Sequence, residues 1–240
     1  MPWFWQGLRA TVRTLPVMDA DGLPRGVTPG RPVTTPMAAG EFDADLCPTG
    51  ALTVEGDQIV VRLDACVHCQ RCRLAAPAMG WRHDYDWARM RSAPLPAAFR
   101  RSIHVRIVDA GDCGACLNEI RQLASPVYSL HRFGVYVTPT PRDADVLLVV
   151  GPVTVGMKTA LEESYAAMPE PKRVVAVGVC ALNGGVFAGS FAALGGAAAV
   201  VPVDVTVPGC PPPPLAILQA LRRVMGQRGS VAWPMKEGHR

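Results

Sequence analysis

The sequence predicts an α/β protein, a parallel sheet covered by helices on both faces, preceded by a small cysteine-bearing α+β unit. Three observations predict it. From position 102 onward, short runs of Val, Ile and Leu alternate with stretches of helical pattern. Between positions 47 and 72, four cysteines surround a hairpin signal. The other four cysteines follow the ends of predicted strands.

Residues 1–36 read as an arm. Trp3, Phe4, Leu8 and Val12 can line one face of a short helix, which Pro16 and a Gly- and Pro-rich stretch end. Such an arm is either a tail or a segment that orders on a partner. Residues 37–80 form the cysteine-bearing unit, in which 52–62 reads as two short strands around Gly56-Asp57. Residues 81–101, rich in Arg and Pro, read as an irregular linker. The α/β domain covers 102–226. It starts with a strand at 103–109 and a helix at 117–123. A fully buried strand at 145–150 and a helix near 157–167 follow, then a second buried strand at 173–178. A fourth strand at 200–207 contains Pro202, which places it at an edge. An amphipathic helix at 215–225 closes the domain, and 227–240 is a tail.

Composition narrows the function. Hydrophobic residues make up 49% of the chain and charged residues only 18%, so partner subunits are expected to cover some surface. The net charge is +4 and the arginines are scattered rather than striped, which excludes a nucleic-acid-binding class. The N-terminus carries neither a secretory h-region nor a twin-arginine leader, so a cytoplasmic chain is expected. Cytoplasmic cysteines in C-x-x-C pairs read as ligands more readily than as disulfides. Residues 174–203 hold no charged side chain and are numerous enough to span a bilayer. The glycine pairs at 184–185 and 195–196 break a helix interior, so a buried strand, a glycine-rich loop and a second strand fit better.

Cys66-Val-His-Cys69-Gln-Arg-Cys72 has the C-x₂-C-x₂-C spacing that brings three thiolates onto one iron–sulfur cubane. In two-cluster ferredoxins such a run takes its fourth ligand from the Cys-Pro of the other run, and Cys47-Pro48 is such a unit. The alternative is a zinc knuckle, which prefers a pair-and-pair spacing. The second group is dispersed. Cys113 and Cys116 follow the first strand of the α/β domain, Cys180 the strand ending near Gly178, and Cys210 the last strand. Loops beyond the carboxyl ends of parallel strands share one sheet edge, so these four are expected to become neighbours there. The alternative is four inert buried cysteines.

Residues 37–80 resemble a bacterial two-cluster ferredoxin that has lost one cluster. Met37, Gly40, Asp43 and Ala76 stand where the second set of cysteines belongs, while the other set is complete. Residues 102–225 resemble group 4 [NiFe]-hydrogenase small subunits, the formate hydrogenlyase type among them, and the 20 kDa subunit of respiratory complex I. The likeness is carried by Gly111-Asp-Cys113-Gly-Ala-Cys116-Leu-Asn-Glu119, by 141–154 ending in Gly151-Pro-Val-Thr154, by Val177-Gly-Val-Cys180-Ala-Leu-Asn183-Gly-Gly185 and by 203–212 around Cys210. The complex I subunit has adjacent cysteines at the first ligand position. Cys113-x-x-Cys116 departs from that, toward the hydrogenase side.

The resemblance implies a flavodoxin-like domain and two [4Fe-4S] clusters, one held by Cys47, Cys66, Cys69 and Cys72, the other by Cys113, Cys116, Cys180 and Cys210. It implies an electron-transfer subunit of an oxidoreductase whose catalytic centre lies in a partner large subunit that binds nickel or faces a quinone pocket. It further implies membrane subunits of the same complex, through which the chain attaches peripherally to the cytoplasmic membrane, and an additional iron–sulfur or ferredoxin donor. Glu119, on the first turn of a helix, is either a favourable charge at the helix N-terminus or a proton relay beside the cluster. His68, between two ligands, either hydrogen-bonds or faces solvent. Asn183 and Thr154 brace loops or lie next to the ligands. A cluster-bearing assembly protein without catalytic work is the alternative from another class, and two clusters on one chain argue against it.

Overall fold

The computed structural model describes residues 28–36, 43–75 and 79–227. The expected arm as far as residue 27, the positions of Met37, Gly40 and Ala76, and the tail beyond 227 lie outside these.

The small N-terminal unit is built from paired ribbons. Strands β1 (Arg31–Pro32), β2 (Thr35–Pro36), β3 (Leu52–Glu55) and β4 (Gln58–Val61) precede a short helix, α1 (Arg71–Ala75), and β5 (Trp81–Arg82). β4 lies between β2 and β3, antiparallel to both. Gly56 sits at φ +59° in the β3–β4 turn, a conformation in which glycine meets no steric penalty. Leu52, Ile59 and Met79 form the buried core of this unit, with Cys47 and Cys72 packed against it. Residues 28–36, expected to belong to the arm, are already part of this sheet structure. β1 pairs with β5, and β2 is an edge strand, the position at which a proline such as Pro36 is tolerated in a sheet.

The large sheet contains β6 (Arg89–Met90), β7 (Ile103–Asp109), β8 (Val135–Val137), β9 (Val146–Val150), β10 (Arg173–Val177) and β11 (Val205–Val207). Its order is β6-β11-β10-β9-β7-β8, parallel except for β6. The five parallel strands follow the flavodoxin-like order 2-1-3-4-5, which reverses direction at β7/β9. β9 is central and every one of its residues is buried, which explains its unbroken Val-Leu-Leu-Val-Val run.

Helices α2 (Ala115–Gln122) and α5 (Pro214–Val224) cover one face, over Val105, Leu148, Val175 and Val205. Helices α3 (Lys158–Ala166) and α4 (Val179–Asn183) cover the other, over Val108, Leu147, Val149 and Ala176. Each buried Val or Leu contributes about 1.5–3 kcal/mol relative to exposure. α5 begins on Pro214, whose fixed φ suits a first helical position, and carries Arg222 and Arg223 in its last turn, where cations favour the helix dipole.

Two further expectations are corrected. The 200–207 segment is a strand only over Val205–Val207, and it is not an edge. Met90 and Arg89 pair with Val205 and Thr206, so β6 covers it. Residues 81–101, expected to be an irregular linker, contribute β5 and β6 and send Tyr85, Trp87, Ala88 and Leu95 into the main core. Two-residue strands leave no periodicity to read, which is why this role is hidden in the sequence. The uncharged 174–203 stretch folds into most of β10, the short α4 and glycine-rich loop turns. Among the described residues, no helix is long and apolar enough to cross a membrane.

Candidate iron–sulfur sites

In the first group, Cys47 leaves a short 3₁₀ turn, Ala44–Leu46, whose start is capped by the Asp43 carboxylate accepting from Asp45 N at 2.9 Å. The Cys66–Cys72 loop turns by placing His68 at φ +54° and Gln70 at φ +61°. Two left-handed non-glycine residues so close together are uncommon and strained. They turn the chain sharply between the three cysteines, the kind of backbone from which anion-binding nests are made. All four cysteines line one cleft, with Ala51, Leu52 and Trp81 among the other residues of its wall.

The thiols of this group act on one another. Burial pushes Cys66 up to about 11, and repulsion from Cys72, Cys47 and Cys69 adds to this. Burial also opposes ionisation of Cys47, but hydrogen bonds from Thr49, Ala51 and Leu52 together outweigh it and hold that thiol below its ordinary value. One of these is the 3.2 Å bond from Ala51 N to Cys47 Sγ. Backbone N–H donors at sulfur are the interactions that tune a cluster's potential. His68 stacks on Trp87, with ring centroids 4.8 Å apart and planes 6° from parallel. Burial keeps it neutral more readily than a free imidazole, and neither ring nitrogen has a hydrogen-bond partner among the described residues.

The second group assembles at the carboxyl edge of the large sheet. Cys113 and Cys116 lie between β7 and the first turn of α2, Cys180 in α4 directly after β10, and Cys210 just beyond β11. Cys116 and Cys180 are buried and Cys113 is exposed. Burial drives the Cys116 thiol far up, and the charges of Asp112, Cys180, Cys210 and Cys113 add to this. Burial pushes Cys180 up to about 11, reinforced by Cys210 and Cys113. These four dispersed positions therefore lie close enough at this edge for their charges to act on one another. Two glycines form its cradle. A methyl group on Gly178 would overlap the sulfur of Cys116, and one on Gly185 would lie 2.8 Å from the sulfur of Cys180. Glycine is the residue that lets backbone approach a bound group this closely.

Asp112 is a site residue that the sequence reading did not single out. Its carboxylate accepts from Gly114 N at 3.0 Å and Leu117 N at 3.1 Å, capping the start of α2. An Asp just before a helical run is the signal that could have found it. Thr154 packs over Gly111 and donates its N–H to Ala110 O at 3.0 Å, bracing the Cys113 loop. Asn183 Oδ1 accepts from Gly185 N at 2.9 Å, and its Nδ2 donates to Asp64 O at 2.8 Å. Glu119, expected on the first turn of its helix, lies instead in the second turn of α2, one turn beyond Cys116, because the helix already starts at Ala115; burial raises its pKa. Tyr128 is raised by burial too, and further by the charge of Glu119.

The donor chemistry of both groups fits an iron–sulfur cluster. Each offers four thiols and no carboxylate ligand, with N–H donors or glycine cradles at the sulfurs. Among the described residues, no three His, Cys, Asp or Glu side chains form a site for a single metal ion.

Residues 113–224 match the family model described as NADH ubiquinone oxidoreductase, 20 Kd subunit. A Methanocaldococcus jannaschii protein of uncharacterized function is 48% identical over 125 residues, 52% of this chain and 84% of that protein. The chain belongs to the NADH:ubiquinone oxidoreductase 20 kDa subunit family. Formate hydrogenlyase subunit 7 of Escherichia coli is 40% identical over 134 residues, covering 56% of this chain and 52% of that subunit. A chain of the archaeal membrane-bound sulfane sulfur reductase complex is 32% identical, with a TM-score of 0.48, over 54% of this chain and 71% of that one. As a member of the 20 kDa subunit family, the chain is a subunit of an electron-transferring oxidoreductase. The family match begins at Cys113, so the Cys47–Cys72 group lies outside it.

Proposed function

We propose that this chain holds two [4Fe-4S] clusters and relays electrons as the small subunit of a membrane-associated, formate hydrogenlyase-type [NiFe]-hydrogenase complex. The observation that supports it is that Cys47, Cys66, Cys69 and Cys72 line one cleft, while Cys113, Cys116, Cys180 and Cys210 all lie beyond the carboxyl ends of strands of one parallel sheet. Cys47, Cys66, Cys69 and Cys72 hold the first cluster in the 37–80 unit. Cys113, Cys116, Cys180 and Cys210 hold the second in the 102–226 domain, to whose core residues 81–101 contribute. A bound cluster supplies one-electron chemistry. The chain's own residues supply thiolates, N–H donors to sulfur and exclusion of water. Glu119, with its raised affinity for a proton, handles protons beside the second cluster.

The large subunit and the membrane subunits complete the complex, with a soluble ferredoxin or a further iron–sulfur subunit as electron donor. Val155, Val186, Phe187 and Phe191 are exposed on the loops that follow β9 and α4, next to the second cysteine group, and Phe191 is 98% exposed. These exposed apolar side chains support docking of the large subunit at the cluster edge. The second reading is a complex I-type subunit that passes electrons toward quinone, favoured by the description of the family itself. Nickel-binding cysteine pairs in the partner large subunit separate the two.

Anaerobically purified protein is expected to contain about eight irons and eight acid-labile sulfides per chain. Stoichiometric zinc with half that iron would overturn the first site. Ligand replacement assigns the groups. Cys47→Ala or Cys66→Ala is expected to remove one EPR-active cluster and spare the other, and Cys210→Ala to do the converse. If Cys47→Ala leaves both signals intact, Cys47 is not the fourth ligand.

A further inference from the structure

The two cysteine groups are far apart in sequence, yet one side chain bonds to the flanks of both. Asn183 sits on α4, three residues after Cys180. Its Oδ1 accepts from Gly185 N, the glycine packed on the Cys180 sulfur. Its Nδ2 donates to Asp64 O at 2.8 Å, two residues before Cys66. The Asp64 end is fixed in turn. Ala65 N and Cys66 N donate to Arg62 O and Leu63 O in a tight turn, so the Asp64 carbonyl and the Cys66 sulfur move together. A second contact closes the same junction, where His68, between Cys66 and Cys69, lies flat on the buried Trp87.

We propose that Asn183 is a positioning residue that bridges the two cysteine groups and carries electron exchange between the clusters they hold. This rests on the two-cluster reading and goes beyond it by naming the route. The route runs from Cys180 along α4 to the Asn183 amide, across one hydrogen bond to Asp64, and through Ala65 to Cys66. Covalent and hydrogen bonds carry electronic coupling better than an equal distance through space. In one transfer, the donor cluster is oxidised by one electron and the acceptor reduced by one, and no proton or atom moves. The same hydrogen bond holds the loop before Cys66 against the large sheet.

The amide's two ends can be tested separately. Asn183→Asp keeps the oxygen that accepts from Gly185 N, but it replaces the donor facing Asp64 O with a carboxylate. The test uses the full chain, loaded anaerobically, with dithionite as the reductant. After a substoichiometric reducing pulse, freeze-quench EPR should show an electron redistributing between the two clusters of the unmodified chain. Asn183→Asp should retain the same iron content and the same integrated spin, with that redistribution slowed several-fold. Backbone amides at 65–72 should exchange with deuterium about fivefold faster, as loss of one hydrogen bond predicts. An unchanged redistribution rate, with about eight irons in both proteins, would overturn the bridge alone. About four irons in the unmodified chain would overturn the two-cluster reading, and the bridge with it.

Discussion

Replacing Gly178 with alanine is expected to strip the second cysteine group of its cluster while the sheet remains folded. Gly178 directly follows β10 at φ +87° and ψ +153°, a region populated almost solely by glycine. Forcing an L-residue there costs about 1–3 kcal/mol. That alone is survivable in a domain whose core strands are almost wholly buried. The larger effect is steric. The added methyl would overlap the Cys116 sulfur and would lie 3.5 Å from Gly209 O, so the thiol, not the methyl, has to move. Cys116 is on α2, packed by Ile120 and Leu123 into the main core, and cannot swing away without losing its place among the four ligands. Iron is expected to fall from about eight to about four per chain, with the first group's EPR signal retained. Gly114→Ala is the control. Gly114 also has positive φ, +92°, but nothing lies within 4 Å of the added carbon. That variant should pay only the left-handed cost of about 1–2 kcal/mol and keep both clusters. Full iron in Gly178→Ala would mean that Cys116 is not a ligand.

The sequence revealed the parts of this fold that repeat a local rule. β7, β9 and β10 are legible because strands buried on both faces need unbroken apolar runs. The placement of Cys113, Cys116, Cys180 and Cys210 at one sheet edge follows from parallel topology, which puts every such loop on the same side. The β3–β4 hairpin is legible from Gly56-Asp57. What stayed hidden depends on contacts between distant segments. β6 and β8 are too short to show a period, and each exists because a longer strand offers it a ladder. The hydrogen bond from Asn183 to Asp64 joins positions 119 residues apart, and no local pattern encodes it. His68 read from sequence as a hydrogen-bonding or solvent-facing side chain; its ring instead stacks on a tryptophan from the segment expected to be a linker. Pro32 and Pro36 lie in the Gly- and Pro-rich stretch expected to belong to the arm, whereas edge strands accept proline because their outward N–H groups pair with nothing.

That tryptophan is where the largest loss of stability is expected. Trp87 is 2% exposed and belongs to the main core with β11 and α5. Its Nε1 donates to Asp84 O at 2.9 Å and Asp84 Oδ1 at 3.0 Å. Asp84 is itself buried, and it accepts from Arg31 Nε at 2.8 Å and Nη2 at 2.9 Å. Trp87 thus joins three things at once: the sheet core, the Arg31–Asp84 ion pair at the start of the small unit, and the His68 ring in the first cysteine loop. Trp87→Ala removes the ring from a packed site and leaves Asp84 with one donor fewer. Large-to-small aromatic truncation in a core costs about 3–5 kcal/mol. For a chain of this size that corresponds to a melting temperature lower by roughly 6–20 °C. Trp87→Phe separates the contributions, since it keeps a ring for His68 and the core but loses the Nε1 bonds. It should recover most of the loss, because a net hydrogen bond is worth only about 0.5–1.5 kcal/mol. Urea denaturation of the two variants beside the unmodified chain reads both effects. A loss below about 1 kcal/mol in Trp87→Ala would show that the core closes over the gap and that the small unit is held to the sheet by other contacts.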